Sequence, residues 1–226
     1  MTSPSSTTSS PTTPTLPLGH PAPRNHAALT QVLCVAATGL ALGVLTNLLQ
    51  GLLPWPWSQL ANSGGVWSVV AFVTGAVLAP RVRGVRRIAT AGALAEIGLV
   101  VGYYGYAELG RGGMGSIVFP LVWLVMACVA GPLFGTAGAW WRRSPRLWLR
   151  AGSLGAVGGL FGSECLHSWL TLGYAGQALA CAAVACALPL ALSRTWRERG
   201  LSLGVAVLAS PVAYAAVYGL LDRISA

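Results

Sequence analysis

Residues 81–107 read RVRGVRRIATAGALAEIGLVVGYYGYA, a cluster of arginines followed by a long apolar run. The run, Ile88–Ala107, is long enough to cross the hydrocarbon core of a bilayer, which takes about 20 apolar residues in a helix. Arginines that border such a run are typical of the cytoplasmic end of a membrane span. The stretch therefore predicts a transmembrane helix that begins at the cytoplasmic side.

The rest of the chain repeats this arrangement. Hydrophobic residues make up 54% of the 226 residues and charged residues only 8%, whereas soluble domains carry about 25% charged residues. Six further runs are candidate spans: Ala28–Leu53, Gly64–Ala79, Gly115–Trp140, Ala151–Leu172, Tyr174–Leu192 and Leu201–Leu221. Ile88–Ala107 is the third of the resulting seven. The sequence therefore predicts an all-α, polytopic transmembrane helix bundle of about seven spans.

The arginines predict how this bundle is oriented. The gaps after the second, fourth and sixth runs hold eleven of the fourteen arginines, whereas the opposite side has only Arg111 and Arg223. The positive-inside rule then predicts a cytoplasmic N-terminus in a multi-pass protein of the cell (plasma) membrane. The arginines are expected to contact anionic lipid headgroups of the cytoplasmic leaflet. The net charge of +9 does not indicate nucleic-acid binding, because the arginines border apolar runs instead of lining a polar domain.

Two regions of different composition make up the chain. Residues 1–26 are nearly all Ser, Thr, Pro and Ala, as in SSTTSSPTTPT at 5–15. Such a segment buries too little apolar surface to order itself, so residues 1–26 are predicted to be a disordered cytoplasmic tail. Residues 27–226 are predicted to form the transmembrane helical domain.

Small and polar residues at the helix surfaces suggest how the spans pack. Five glycine pairs have the x3 spacing that brings helix backbones together in lipid: Gly39/Gly43, Gly98/Gly102, Gly131/Gly135, Gly155/Gly159 and Gly158/Gly162. They are interpreted as packing positions within the bundle, with a dimer interface as the alternative. Asn62 or Ser63 is predicted to cap the N-terminus of the second span.

Two acids lie at membrane depth and define the candidate site. Glu96 is eight residues into the third run, near mid-bilayer, and Glu164 lies in the outer half of the fifth run. Charged groups at such depth face protein or water. Depth counting adds six more polar residues to the outer half: Asn47, Gln50, Tyr103, His167, Tyr214 and Tyr218. The hypothesis is a polar vestibule open to the outside, with Glu96 beneath it.

Three interpretations of this cluster remain open. Buried Glu, His and Tyr side chains hold helices together through hydrogen bonds. They also form solute or proton sites, in which Glu164 and His167 could exchange a proton near neutral pH. The Glu164-x-x-His167 spacing matches half of a di-metal helical motif, whose other carboxylates are missing from the sequence. No hydrolase, phosphate-loop or metalloprotease motif is present, so no enzymatic activity, metal or cofactor is predicted.

The best interpretation from the residues is a small-solute or proton-linked transport component. Its site would comprise Asn47, Gln50, Tyr103, Glu164 and His167, with Glu96 as a deeper gate or proton carrier. The alternative is a non-catalytic membrane scaffold or regulatory subunit whose basic cytoplasmic loops bind a membrane or cytoplasmic protein partner.

Four strings also resemble a known family: TGLALGVLTNLLQGLLP, ANSGGVWSVVAFVTGA, GLVVGYYGYAELG and CVAGPLFGTAGAWWR, at 38–54, 61–76, 98–110 and 128–142. The family is one of small integral membrane proteins of actinobacteria, known as a domain of unknown function. The resemblance covers about Ala37 to Leu192 and implies a multi-span membrane protein, without implying an activity, substrate or functional residue.

Overall fold

A computed structural model describes residues 24–55 and 57–225 of the chain, which are helical almost throughout. The helices are α1 (Arg24–Leu52), α2 (Ser58–Ala61), α3 (Gly64–Leu78), α4 (Val85–Gly110), α5 (Val118–Arg143), α6 (Leu147–His167), α7 (Ala175–Leu192) and α8 (Trp196–Ser225). A π-helical turn, Ser168–Leu172, follows α6. These residues contain no strand, which confirms the all-α prediction. Residues 1–23 of the predicted tail lie outside the described part.

Six helical segments are long and apolar enough to cross a membrane: Leu29–Leu52, Ser58–Leu78, Val85–Gly110, Val118–Arg143, Ala175–Leu192 and Trp196–Leu221. They correspond to six of the seven predicted spans, and α5 contains Pro132 within one continuous helix, as expected. The remaining predicted span is α6, which glycines and polar residues make less apolar. Helix α6 contacts α3, α5, α7 and α8, so protein surrounds its polar residues on several sides.

The second span is broken near its N-terminal end. Helix α2 ends at Ala61, and α3 begins at Gly64 after Ser63, which has extended backbone angles. The Ser63 side chain accepts a hydrogen bond from the Val66 N–H, which confirms the predicted cap. The predicted run Gly64–Ala79 was too short because it omitted α2. The break leaves a helix N-terminus inside the span, and the first N–H groups of a helix have no backbone partner within it.

Glycines allow the helix backbones to approach closely within the chain. A side chain at Gly39 or Gly43 would collide with carbonyl oxygens of α4, and a Cβ atom at Gly159 would come within 2.6 Å of Ala209 in α8. Helix α4 in turn packs against α5 through Gly131 and Gly135. The glycine pairs therefore serve packing inside the bundle, as interpreted from the sequence.

The three arginine-rich connections lie together at one end of the bundle, here called the arginine end. Arg143 at the end of α5 donates to the Val82 carbonyl between α3 and α4, at 3.2 Å. Arg194, between α7 and α8, donates to the carbonyls of Trp141 and Arg142. At the opposite end, Trp55 and Tyr174 bring the connection after α1 against the one before α7, with ring centroids 5.0 Å apart. The alternation of basic gaps in the sequence thus corresponds to two distinct ends of the bundle.

Candidate functional site

Glu164 of α6 lies against the N-terminus of α3. The Gly65 N–H donates to Glu164 Oε1 at 2.7 Å. The Ser63 hydroxyl lies 2.6 Å from Oε2 and 2.7 Å from Oε1, and it donates to this carboxylate. A carboxylate is favourable here because a helix N-terminus carries partial positive charge and unpaired N–H groups. The side chain of Glu164 therefore caps the N-terminus of α3 at the break in the second span.

Glu96 of α4 has a sparser environment. Its side chain is 3% exposed, and its Oε1 accepts a hydrogen bond from the Ser68 hydroxyl at 3.1 Å. Its Oε2 is buried and has no hydrogen-bond partner among the described residues. Neither Glu96 nor Glu164 forms an ion pair with a described residue. Glu96 thus has one oxygen whose bonding capacity this part of the protein leaves unused.

A cavity of about 250 Å³ brings the two acids together. It lies among α3, α4, α5, α6 and α8, and Ser68 and Ser163 add hydroxyl groups to its wall. Four aromatic side chains line it: Trp67, Trp123, Phe134 and Tyr218. Most other lining residues are aliphatic. The cavity is therefore an apolar space with two carboxyl groups in its wall.

The cavity reaches the surface of the bundle along α5 and α8. Val129 and Leu133 of α5 line it and are 65% and 52% exposed. Ala213 and Val217 line it from α8. These four apolar residues mark a lateral mouth between α5 and α8 in a face of the bundle.

His167 adjoins the cavity through an aromatic neighbour. Its ring stacks on Tyr218, with centroids 3.8 Å apart and planes within 7° of parallel. Tyr218 lines the cavity, but His167 does not. Nearby, the hydroxyl groups of Tyr214 and Thr171 are 3.1 Å apart. This polar cluster joins α8 to the end of α6 and to the π-helical turn that follows it.

Asn47, Gln50 and Tyr103 belong to a second network, between α1 and α4. Asn47 Nδ2 donates to the Tyr103 carbonyl at 3.0 Å, and the Tyr103 hydroxyl donates to Gln50 Oε1. Arg111 donates to Asn47 Oδ1 at 3.2 Å. None of the four lines the cavity, although the Tyr103 ring lies 5.3 Å from that of Trp67. The structure thus divides the six predicted residues into two groups instead of one vestibule.

A family model of unknown function, DUF6518, matches residues 22–223. The chain belongs to that family. The match is wider than the resemblance seen in the sequence, which covered about Ala37 to Leu192. No curated protein and no solved structure matches the chain.

In this DUF6518 chain, several residues of the cavity were not predicted from the sequence. Ser68, the partner of Glu96, has no recognisable sequence pattern, because single serines are common in apolar helices. The positions of Trp67 and Trp123 are informative. Tryptophan normally lies at the membrane interface, so two tryptophans within apolar runs indicate a protein-lined environment. Trp67 is 2% exposed, and its Nε1 donates to the Ala61 carbonyl.

A metal site at Glu164 and His167 would require further ligands close to them. Among the described residues, no three His, Cys, Asp or Glu side chains lie close enough to hold a metal ion together. What the site offers chemically is a pair of carboxyl groups, hydroxyl groups and aromatic faces.

Proposed function

We propose that the protein is a small-solute or proton-linked transport component of the plasma membrane, and that its site is the cavity of Glu96 and Glu164. The observation that carries the proposal is the unpartnered Oε2 of Glu96, buried in the wall of this cavity. Ionisable groups inside a membrane are costly and typically mark solute or proton paths. The proposed role is non-catalytic.

The two acids take different parts in this proposal. Glu96 binds the transported solute or proton, because it has a free oxygen and a single hydrogen-bond partner. Glu164 is held by Ser63 and Gly65 and shapes the outer wall. Helix α6, which carries Glu164, acts as the seventh span. His167 supports the wall by stacking on Tyr218, whereas Asn47, Gln50 and Tyr103 join α1 to α4.

The arginine end faces the cytoplasm in this proposal. A groove of about 740 Å³ between α1 and α4 is lined by Arg81, Arg83 and Arg87 at this end. Basic pockets between transmembrane helices on the cytoplasmic side suit anionic lipid headgroups. The partners proposed at this end are therefore the phosphate groups of lipids.

Proton movement tests the transport proposal without knowledge of the solute. The purified protein is placed in liposomes that enclose a pH-sensitive dye, and a potassium diffusion potential, negative inside, is imposed. We expect acidification of the interior with the unchanged protein and its loss with Glu96→Gln. The matched control is Glu108→Gln, because Glu108 is an exposed acid at the end of the bundle opposite the arginine end. This variant should conduct protons normally. Liposomes as proton-tight as protein-free ones would refute a proton-linked role.

A scaffold role is the second candidate, and exposed arginines favour it. Arg142 and Arg146 are exposed at the arginine end. If they hold a protein partner, the double variant Arg142→Gln/Arg146→Gln should lose a protein that co-purifies with the unchanged chain. Arg223→Gln, exposed near the C-terminus, is the control. Equal recovery of the partner with both variants would contradict the scaffold role.

A further inference from the structure

We propose that the ligand of the cavity is a small hydrophobic amine in its protonated form, which enters from the bilayer between α5 and α8. This inference rests on the proposed function, since it names the class of solute for the same cavity.

The charge of the wall selects a cation. Glu96 and Glu164 both line the cavity, and no arginine or histidine is among the described residues that line it. In a medium of low dielectric constant, a charge unmatched by an opposite one is costly, and an anion beside two acids is strongly disfavoured. Once Glu96 or Glu164 is ionised, a cation between the two acids would compensate a charge that has no counter-ion among the described residues.

The free oxygen of Glu96 favours a cation that donates hydrogen bonds. Oε2 lacks a donor among the described residues, whereas Oε1 already accepts from Ser68. An ammonium N–H supplies such a donor, and hydrogen bonds between ionised groups are stronger than neutral ones. A bare divalent metal ion fits less well because it requires more oxygen ligands than one free carboxylate oxygen. A quaternary ammonium ion fits less well too, because it carries the positive charge but has no N–H group to donate to Glu96 Oε2.

The remaining wall suits an apolar body of modest size. Trp67, Trp123, Phe134 and Tyr218 present aromatic surface, and aromatic faces attract ammonium groups as well as apolar rings. At about 250 Å³, the cavity is smaller than the sites of drug-sized ligands, which start at about 300 Å³. A single ring with a short aminoalkyl chain is a suitable ligand.

The lateral mouth determines the route. It is bordered by apolar side chains, Val129 and Leu133 on α5 and Val217 on α8, and α5 and α8 are not among the extensively packed helix pairs. A hydrophobic amine concentrates in the bilayer beside this mouth, with its charge near the headgroups. It would therefore reach the two acids without passing through either polar end of the bundle.

Radioligand binding to the full chain in lipid nanodiscs tests the inference. The probe is tritiated 2-phenylethylamine, with empty nanodiscs as the baseline for partitioning. The competitors are unlabelled 2-phenylethylamine, 2-phenylethanol and phenylacetate, which share the ring but carry an ammonium, a hydroxyl or a carboxylate group. We expect saturable binding that only the amine displaces. Displacement by the alcohol as effective as by the amine would overturn the inference.

Variants then assign the site. Glu96→Gln should weaken amine binding about tenfold or more, the effect of losing one hydrogen bond between charged groups. Glu108→Gln is the matched acid outside the cavity and should bind like the unchanged chain. The elution volume and melting temperature of each variant report its folding. Unchanged affinity in a folded Glu96→Gln variant would overturn the inference.

The two proposals can fail separately. Amine binding that depends on Glu96, without proton movement in liposomes, would support the ligand class and refute proton-linked transport. Proton movement that depends on Glu96, without saturable amine binding, would refute the ligand class alone.

Discussion

Arg150 and Glu198 form a bidentate ion pair that joins α6 to α8 at the arginine end. Arg150 Nη2 lies 2.6 Å from Glu198 Oε2, and Arg150 Nε lies 3.1 Å from Oε1. The Glu198 side chain is completely buried, and Oε2 also accepts the Arg194 N–H. A single carboxylate therefore anchors α6, α8 and the connection before α8.

Removing one partner of this ion pair should destabilise the bundle strongly. In Arg150→Met, the buried carboxylate of Glu198 loses its counter-charge. Removing one partner of a buried ion pair typically lowers the free energy of unfolding by about 3–5 kcal/mol. The measurement is the midpoint of thermal unfolding in detergent. Arg146→Met changes an exposed arginine near the same helix end and should leave the midpoint unchanged. Similar midpoints for the two variants would contradict an anchoring role for the pair.

The two acids of the cavity should differ in their effect on stability. Glu164→Gln replaces the carboxyl group that faces the N-terminus of α3 and weakens its contacts with Ser63 and Gly65, so we expect the free energy of unfolding to fall by about 1–3 kcal/mol. Glu96→Gln retains an oxygen acceptor for Ser68 and removes a buried ionisable group that has no counter-charge among the described residues, so the stability of this variant should be equal or higher. Thermal midpoints of the two variants, measured side by side, check this. A less stable Glu96→Gln protein would show that Glu96, too, has a structural role.

Much of the architecture followed from the sequence because hydropathy and arginine placement are local properties. Each apolar run produced a helix, and the basic gaps came together at one end through contacts such as Arg143 to Val82. The break before α3 was harder to predict. Ser63 was recognisable as a cap, but the short helix Ser58–Ala61 has too few residues to produce a periodic signal.

The site was less predictable, because counting depth along a helix does not identify its neighbours. Glu96 and Tyr103, seven residues apart, lie on similar faces of α4. At the depth of Glu96 the neighbour is Ser68 of α3, whereas the Tyr103 hydroxyl reaches Gln50 of α1.

The ion pair of Glu198 was not predicted, for another reason. Thr195-x-x-Glu198 has the spacing of a capping box, and Thr195 does accept the Glu198 N–H, but its link to Arg150 depends on how α6 and α8 pack.

Glycine packing gives a third prediction about stability. A Cβ atom at Gly75 would overlap the Gly135 carbonyl in α5, whereas one at Gly152 would meet no atom within 4 Å. Gly75→Ala should therefore force α3 away from α5 and cost about 1–3 kcal/mol, while Gly152→Ala should be neutral or slightly stabilising because alanine favours helix. Thermal midpoints again provide the measurement. A neutral Gly75→Ala would mean that the α3–α5 interface tolerates separation.

Reporter insertions should reveal both the orientation and the role of α6. Alkaline phosphatase, which is active only outside the cytoplasm, is inserted into the full chain at one of two positions. One is after Ser144, shortly before α6 begins, and the other is after Gly173, which follows the π-helical turn. We expect no activity at Ser144, since the arginine-rich connection stays cytoplasmic, and activity at Gly173, since α6 crosses the bilayer despite its glycines and polar residues. Contacts with α3, α5, α7 and α8 shield these groups from lipid. Activity at Ser144 alone would reverse the orientation and place the arginines outside. Equal activity at both positions would mean that α6 does not cross the bilayer and that Glu164 does not lie within it.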